Sequence, residues 1–237
     1  MMKHIKISII GCSVAIRVRP PQKEPYNKNY GQVLLSDLSE KSENTCITVN
    51  NRAFTRATLK DILPKVDELI SDYPDYFILN IGIPDASTRE IPRYISNFIT
   101  FKKHLKLSIF VQLLFNFLIK PNIKFFVKLR GKHTWVNEKQ FRNLYEKLIN
   151  YIIKETNAKI IIVPINPPSK RIEDKLPGTI NNVEIYNKII SDLAGKYNIN
   201  MVNINDLEPT QNFPDGIHYS VDGHKEISNR ISEFINL

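Results

Sequence analysis

Two groups of residues at opposite ends of this 237-residue chain have the types and spacing for covalent chemistry. Ser13 follows an apolar run and a glycine in Gly11-Cys12-Ser13-Val14, which puts its hydroxyl at a strand-to-helix turn with backbone N–H groups nearby, a nucleophile's position. Serine is also a common helix N-cap, so a partner has to decide between the two roles. Asp215 and His218 stand three residues apart in a turn-like stretch, Phe213-Pro214-Asp215-Gly216, ahead of the last helical pattern. That spacing lets the carboxylate reach one imidazole nitrogen while the other faces the carboxyl edge of a sheet, and such a pair poised beside a serine is the general-base arrangement for acyl transfer. Taken alone, an Asp-Gly turn with a surface histidine accounts for these residues equally well. Cys12 adjoins Ser13, but neighbouring side chains in such a segment point to different sides, and a cysteine beside the core is an inert small hydrophobe. Asp222-Gly223-His224 reads as the opening of the last helix, with the aspartate near its N-terminus, in preference to a metal cluster with Asp215 and His218.

Bringing position 13 to position 218 requires a scaffold, and the hydrophobic pattern supplies one. Five short β-branched runs read as buried strands: Ile5–Ile10, Cys46–Asn50, Tyr76–Ile81, Lys159–Ile165 and Asn198–Asn203. Helical patterns lie between and after them at about Tyr30–Leu38, Leu59–Ser71, Glu138–Glu155, Val183–Tyr197 and Val221–Ile235. Alternation with near-continuous apolar strands predicts an α/β domain of three layers, a five-stranded parallel sheet covered by helices on both faces. Ligands of such sheets sit beyond the carboxyl ends of the strands. The blocks that fall there are Gly11-Cys12-Ser13, Asn51-Arg52, Gly82-Ile83-Pro84-Asp85, Asn166-Pro167-Pro168 and, through Asp206, Asp215-Gly216-Ile217-His218.

Composition narrows the remaining classes. The chain is 42% hydrophobic and 24% charged, which excludes disorder, collagen and coiled coil. Two cysteines make neither a disulfide framework nor a zinc set, and with no signal-peptide pattern at the N-terminus the expected location is cytoplasmic. Gly-rich phosphate loops are absent. Residues 91–137 hold nine of the 33 basic side chains and no acid, which leaves 24 basic against 24 acidic elsewhere: a neutral body with a basic insert. Lysines there interleave with Phe98, Phe101, Leu105, Ile109, Leu113, Phe117 and Phe125 in an amphipathic pattern. Two readings stand: a helical hairpin packed by its apolar side on the domain, or a surface that meets anionic lipid or a lipid-linked glycan at the inner face of a membrane. No nucleic-acid motif accompanies the charge, so that partner is not expected. The longest uncharged apolar run, Leu107–Ile119, has thirteen residues, short of the roughly 20 of a spanning helix.

The blocks Gly11-Cys12-Ser13-Val14, Gly82-Ile83-Pro84-Asp85 and Asp215-Gly216-Ile217-His218, in that order, resemble those of the SGNH/GDSL hydrolases. The segment from Asn51 to Thr58 sits where that family has an Asn-x-Gly-x-Ser-Gly-x-Thr block. The resemblance covers nearly the whole chain. It implies a flavodoxin-like sandwich, Ser13 as nucleophile, His218 as base, Asp215 orienting it, and no metal or organic cofactor. The family's oxyanion hole draws on the nucleophile's N–H, a glycine N–H in the second block and an asparagine side chain in the third. Here Arg56 replaces the glycine and Pro84 the asparagine; the Arg56 N–H can still donate, whereas Pro84 has no donor at all. Loss of one such donor costs about 10²–10³ in rate, so Asn51, Arg56 and Arg89 become the candidates to replace it, with Asn51 and Arg89 as substrate-binding residues. The stretch from Gly82 to Arg89 is similar to a divergent branch linked to bacterial envelope-polysaccharide synthesis.

These readings together predict a 1–237 SGNH-like domain with a basic helical insert at about 91–137. Its expected activity is that of a serine esterase removing an acyl group, acetyl by preference, from a carbohydrate. The alternatives are an O-acyltransferase using the same residues, a non-catalytic glycan-binding descendant, and a peripheral membrane scaffold.

Overall fold

The computed structural model describes residues 3–21, 28–42, 44–101 and 106–237. Lys102, Lys103 and Leu105 of the insert fall outside them. Five parallel strands form one sheet in the order β2-β1-β3-β4-β5. They are β1 (Lys3–Gly11), β2 (Thr45–Asn51), β3 (Tyr76–Asn80), β4 (Lys159–Ile162) and β5 (Asn200–Met201). β1 runs centrally, paired from Lys3↔Thr45 to Ile9↔Asn51 on one side and from Ile7↔Tyr76 to Gly11↔Asn80 on the other. Its Ile5, Ile7, Ile9 and Ile10 and all five residues of β3 are buried, as strands covered on both faces require. Helix Tyr30–Lys41 packs with Val221–Ser232, while Glu138–Glu155 packs with Thr179–Tyr197 and the short helices of 59–70. The α/β class and the five-stranded parallel sheet are as the sequence predicts. The chain order reverses between β1 and β3, so the carboxyl ends of those two strands flank the crevice where such sheets bind ligands.

Element ends differ from the sequence expectation for local reasons. β4 stops at Ile162, two residues before Pro164, which has no N–H to give a ladder. β5 is two residues long because Asn198, in the left-handed region at φ +52°, is still capping the preceding helix. The helix expected over Leu59–Ser71 is broken around Pro64 into Leu59–Ile62, a 3-10 turn and Val66–Ile70. The helix expected from Val183 starts at Thr179, because the Glu173 carboxylate accepts the N–H groups of Gly178 (2.6 Å) and Ile180 (2.9 Å). Gly82, at φ +136°, turns the chain out of β3; a Cβ there would meet Ile165 Cδ1 at 2.5 Å.

The insert departs from its expectation in two ways. Helix Arg93–Phe101 is followed by a helical run from Lys106 through a π turn at Phe115–Ile119 and a 3-10 turn at Lys120–Asn122 to Leu129. Lysines interrupt the apolar sequence there but not the helix, so Leu107–Leu129 is long and apolar enough to cross a membrane by length and composition. Of the two readings of its apolar side, the packed hairpin is the one that fails: Leu107, Phe110, Leu113, Phe117 and Phe125 are exposed. The two ends of the insert are zipped together by a Thr88↔Thr134 bridge, the Arg89 N–H to His133 O (3.0 Å) and Arg130 Nη1 to Arg89 O (2.7 Å).

Two buried titratable groups join elements beneath the carboxyl edge of the sheet. Asp85 accepts the Leu59 N–H at 3.0 Å, tying the second block to the third, and burial pushes its carboxyl up to about 7. His224 accepts the Tyr30 N–H at Nδ1 (3.1 Å) and, with its proton on Nε2, donates to Arg17 O (3.1 Å); burial pulls it down to about 4. Their linkage to stability has opposite signs. The folded Asp85 keeps a proton that the unfolded chain loses above about 3.9, so its contribution falls as pH rises toward 7. The folded His224 refuses a proton that the unfolded chain takes up below about 6.5, so its contribution falls as pH drops toward 4. Asp85→Asn retains the bond to Leu59 and removes one of the two slopes. Urea unfolding between pH 7 and pH 4 is expected to show a shallow profile for the unaltered protein and a loss on the order of 2–3 kcal/mol toward pH 4 for Asp85→Asn. Parallel profiles would refute it.

Candidate active site

Ser13 opens a 3-10 turn, Ser13–Ala15, immediately after β1, where Cys12 N–H still reaches Asn80 O at the end of β3 (3.3 Å). Its hydroxyl lies 3.0 Å from His218 Nε2, and His218 Nδ1 lies 2.8 Å from Asp215 Oδ2. The two nitrogens of one imidazole therefore join a serine and a carboxylate from positions 205 and three residues away. With Nδ1 protonated toward Asp215, Nε2 is left to accept the serine proton, the geometry of a general base acting on a hydroxyl. Ser13 is only 9% exposed, so a reacting group must come down to it.

Asp215 is held in place by more than its histidine. Its Oδ1 accepts the N–H groups of Ile217 (3.1 Å) and His218 (2.8 Å), and Arg19 Nε donates to Oδ2 at 3.2 Å. Burial works to raise the carboxyl, but the bonds from His218 and Ile217 together outweigh it and hold the group well below the usual carboxylate range. It stays ionised and can stabilise an imidazolium. Gly216 makes the tight loop possible: φ is +88°, and a Cβ would come within 2.2 Å of Ser169 Oγ. Ser169 N–H donates to Gly216 O (3.0 Å) and the Asn166 amide donates to Ile217 O, so the segment after β4 braces the loop from behind.

Cys12 is fully buried, and burial pushes its thiol up to about 12, consistent with the inert reading. Asn51, exposed at the end of β2, has part of its amide already engaged. Its Nδ2 donates to Ala15 O (2.8 Å) and its Oδ1 accepts the Ala53 N–H (3.2 Å), so it braces the turn behind Ser13. Arg56 takes the left-handed conformation, φ +64°, that suits the glycine of the resembled block. Among the described residues neither the Ser13 nor the Arg56 N–H has an acceptor, as two donors waiting for an oxyanion would. The Arg56 guanidinium reaches into the insert, to Ser96 Oγ (2.7 Å) and Thr100 Oγ1 (3.4 Å). Arg89 lies over the Trp135 ring, 4.2 Å from its centroid, and donates to Pro84 O (3.2 Å), which puts a cation beside the residue that lacks a donor.

Trp135 and Arg19 were missed by the sequence reading. Trp135 anchors Arg89 on its ring, with Arg56 5.7 Å from its centroid, and is fixed by its Nε1–H to Ile91 O (3.0 Å); the one tryptophan of the chain, at the end of the basic insert, was the available signal. Arg19 carried no signal, since its partner is 196 residues away. Beside Arg56 opens a cavity of about 470 Å³ whose wall includes Phe54, Arg56, Lys65, Arg93, Asn97 and Trp135.

A family model of GDSL-like lipases/acylhydrolases matches residues 21–226, most of the chain. The chain belongs to the GDSL-like lipase/acylhydrolase family. It is an ester hydrolase of the SGNH type by that membership. The match begins after the first block, so the place of Ser13 in the site rests on its contact with His218. Solved structures share the fold. An acetyl xylan esterase from Geobacillus stearothermophilus, in a tryptophan variant, superposes with a TM-score of 0.62 at 18% identity over 98% of this chain and 96% of that one. A lipase/acylhydrolase from Enterococcus faecalis gives 0.64 at 16% identity over 97% and 94%. Forms of the Geobacillus esterase described as catalytic mutants, each altered at a serine, a histidine or an aspartate, superpose equally well. No curated protein sequence matches the chain.

Gly216→Ala tests whether the hydrolase depends on this loop. A Cβ there must push Ser169 or the loop itself, and displacement of a catalytic group by about 1 Å costs on the order of 10²-fold. Ester turnover is expected to fall by about that factor while circular dichroism stays native. Unchanged turnover would show that the loop has slack.

Proposed function

We propose that Ser13, His218 and Asp215 act as a catalytic triad that removes an ester-linked acyl group, acetyl by preference, from a carbohydrate. The observation that carries this reading is the unbroken hydrogen-bond line from Ser13 through His218 to Asp215, 3.0 and 2.8 Å, in a chain of an acylhydrolase family. Ser13 Oγ attacks the ester carbonyl as His218 Nε2 takes its proton. The tetrahedral oxyanion is received by the N–H groups of Ser13 and Arg56, and Arg89 beside Pro84 supplies positive charge in place of the absent asparagine. Collapse breaks the ester C–O bond, and the imidazolium protonates the leaving sugar oxygen. Water, deprotonated by the same imidazole, then releases the acyl group from Ser13 as a carboxylic acid.

Three features support the substrate class. The similar Geobacillus structures are described as esterases of acetyl xylan and acetyl-xylooligosaccharide. A serine only 9% exposed suits a small acyl group. The cavity beside Arg56 offers polar side chains, Asn97 and Lys65 among them, for sugar hydroxyls. The stretch from Gly82 to Arg89 is the support for an envelope polysaccharide as the sugar.

The test is labelling by a fluorophosphonate probe, together with acetate release from p-nitrophenyl acetate and from acetylated xylo-oligosaccharide. The unaltered protein is expected to label and to release acetate into water. Ser13→Ala and His218→Ala should lose about 10⁴-fold in turnover and all labelling. Absence of labelling in the folded protein would refute the triad. Acetate appearing only on an added sugar acceptor would redirect the reading to acyl transfer.

A further inference from the structure

The helical run of the insert is amphipathic in the wrong sense for a helix that packs on its own domain. Ser108 is buried beside Phe98 of helix Arg93–Phe101, and Val127 is buried where the run ends and packs with helix Lys170–Lys175. The opposite side carries Leu107, Phe110, Leu113, Leu114, Phe117 and Leu118, all exposed, with Phe110 at 64% and Phe117 at 81%. Their spacing of three and four residues aligns them in one stripe along the helix. Contiguous apolar surface of this kind marks a contact site, unlike single exposed hydrophobes. At the C-terminal end of the stripe Lys120, Lys124 and Lys128 are exposed as well, with Phe125 among them.

Charge selects the occupant. Residues 91–137 contain no acidic side chain, so a second copy seated face to face would set one group of lysines against another with nothing to pair them. A bilayer with anionic headgroups meets both requirements, because the phenyl and leucyl groups enter the acyl boundary while the lysines extend to headgroup phosphates. Geometry decides how the helix sits. Leu107–Leu129 is roughly 34 Å long at 1.5 Å per residue, enough to span. Both ends, however, return to the same domain. At the start, Ser108 Oγ donates to Phe98 O (3.4 Å) in helix Arg93–Phe101, which is itself tied to Arg56; at the finish, Ile123–Leu129 packs with Lys170–Lys175 and Arg130 Nη1 donates to Arg89 O (2.7 Å), ahead of the Thr88↔Thr134 bridge. A spanning helix would place its ends about 30 Å apart on opposite sides of the hydrocarbon.

We propose that the outward face of Leu107–Leu129 docks this protein flat on an anionic membrane surface. The proposal stands apart from the reading of the active site, although the two meet: helix Arg93–Phe101 at the root of the docking helix holds the Arg56 guanidinium through Ser96 and Thr100.

The experiment is sedimentation of the full chain with vesicles of phosphatidylcholine alone and of phosphatidylcholine mixed with phosphatidylglycerol. Co-pelleting is expected with the mixed vesicles, weakened by added salt. It should drop by about 100-fold in partition coefficient in the double variant Phe110→Asp, Phe117→Asp, which removes two large apolar groups from the contact. Lys120→Ser, Lys124→Ser, Lys128→Ser should lose at least about tenfold on mixed vesicles. Turnover of p-nitrophenyl acetate in solution should be unchanged in both, which shows that the variants are folded and separates this test from that of the triad. Carbonate washing at high pH should release the bound protein. The proposal is overturned by failure to pellet with mixed vesicles at low salt, by pelleting that the Phe variants do not alter, or by resistance to carbonate. A dimer in sedimentation velocity that the Phe variants dissolve, without vesicle binding, would assign the face to a second copy instead.

Discussion

The Asp215 carboxylate is the point at which the two ends of the chain are joined. It accepts the His218 ring, two backbone N–H groups of its own loop and the Arg19 side chain from beyond the Ser13 turn. The backbone repeats the clasp: Arg19 N–H donates to Tyr219 O (2.8 Å), and Arg17 O accepts from His224. A 3.0 Å contact between Ser13 and His218 needs both segments fixed to within a fraction of an ångström, and this set of bonds fixes them. The site is built by tying the loop after β1 to the loop before the last helix, over a sheet that supplies the floor.

That floor explains where the tolerance for change lies. β1 and β3 are buried on both faces and end side by side at Gly11 and Asn80, so the turn that presents Ser13 starts from the most constrained part of the molecule. The side proposed to receive the oxyanion is looser in its chemistry. A backbone N–H can donate whatever the side chain, and Arg56 adopts the left-handed conformation that a glycine would take there. Once a long cation occupies that position its head must be housed, and the insert houses it, with Ser96 and Thr100 accepting the guanidinium and Trp135 close by. Arg89, held by the same tryptophan ring, stands beside Pro84. The changes at positions 56 and 84 and the presence of the insert are thus parts of one arrangement.

Much of this was legible in the sequence because it depends on local rules. Near-continuous apolar runs alternating with helical periods have few solutions other than a parallel sheet covered on both faces, and residues just after such strands come to one edge of it. Glu138–Glu155 was readable to the residue, with Asn137 capping its N-terminus. The pairing of Asp215 with His218 was readable from a three-residue spacing and a glycine. Single prolines and a distant carboxylate set the element ends that were misjudged, at β4, around Pro64 and before Thr179.

What the sequence by itself determined, then, is the order of strands and helices, the edge at which chemistry gathers, and the residue types present there. Only the tertiary structure decided which polar groups are already spent. Asn51 carried the composition of a substrate donor, and the fold commits one N–H and the oxygen of its amide to Ala15 and Ala53. Arg19 carried no motif, yet it grips Asp215 across 196 residues. The direction of the insert's apolar face was likewise undecided, since amphipathic spacing shows that a helix has two sides but not which one meets the protein. Local propensity acts over a few residues, whereas hydrogen-bond partners and exposed faces are set by contacts between segments that the fold alone brings together.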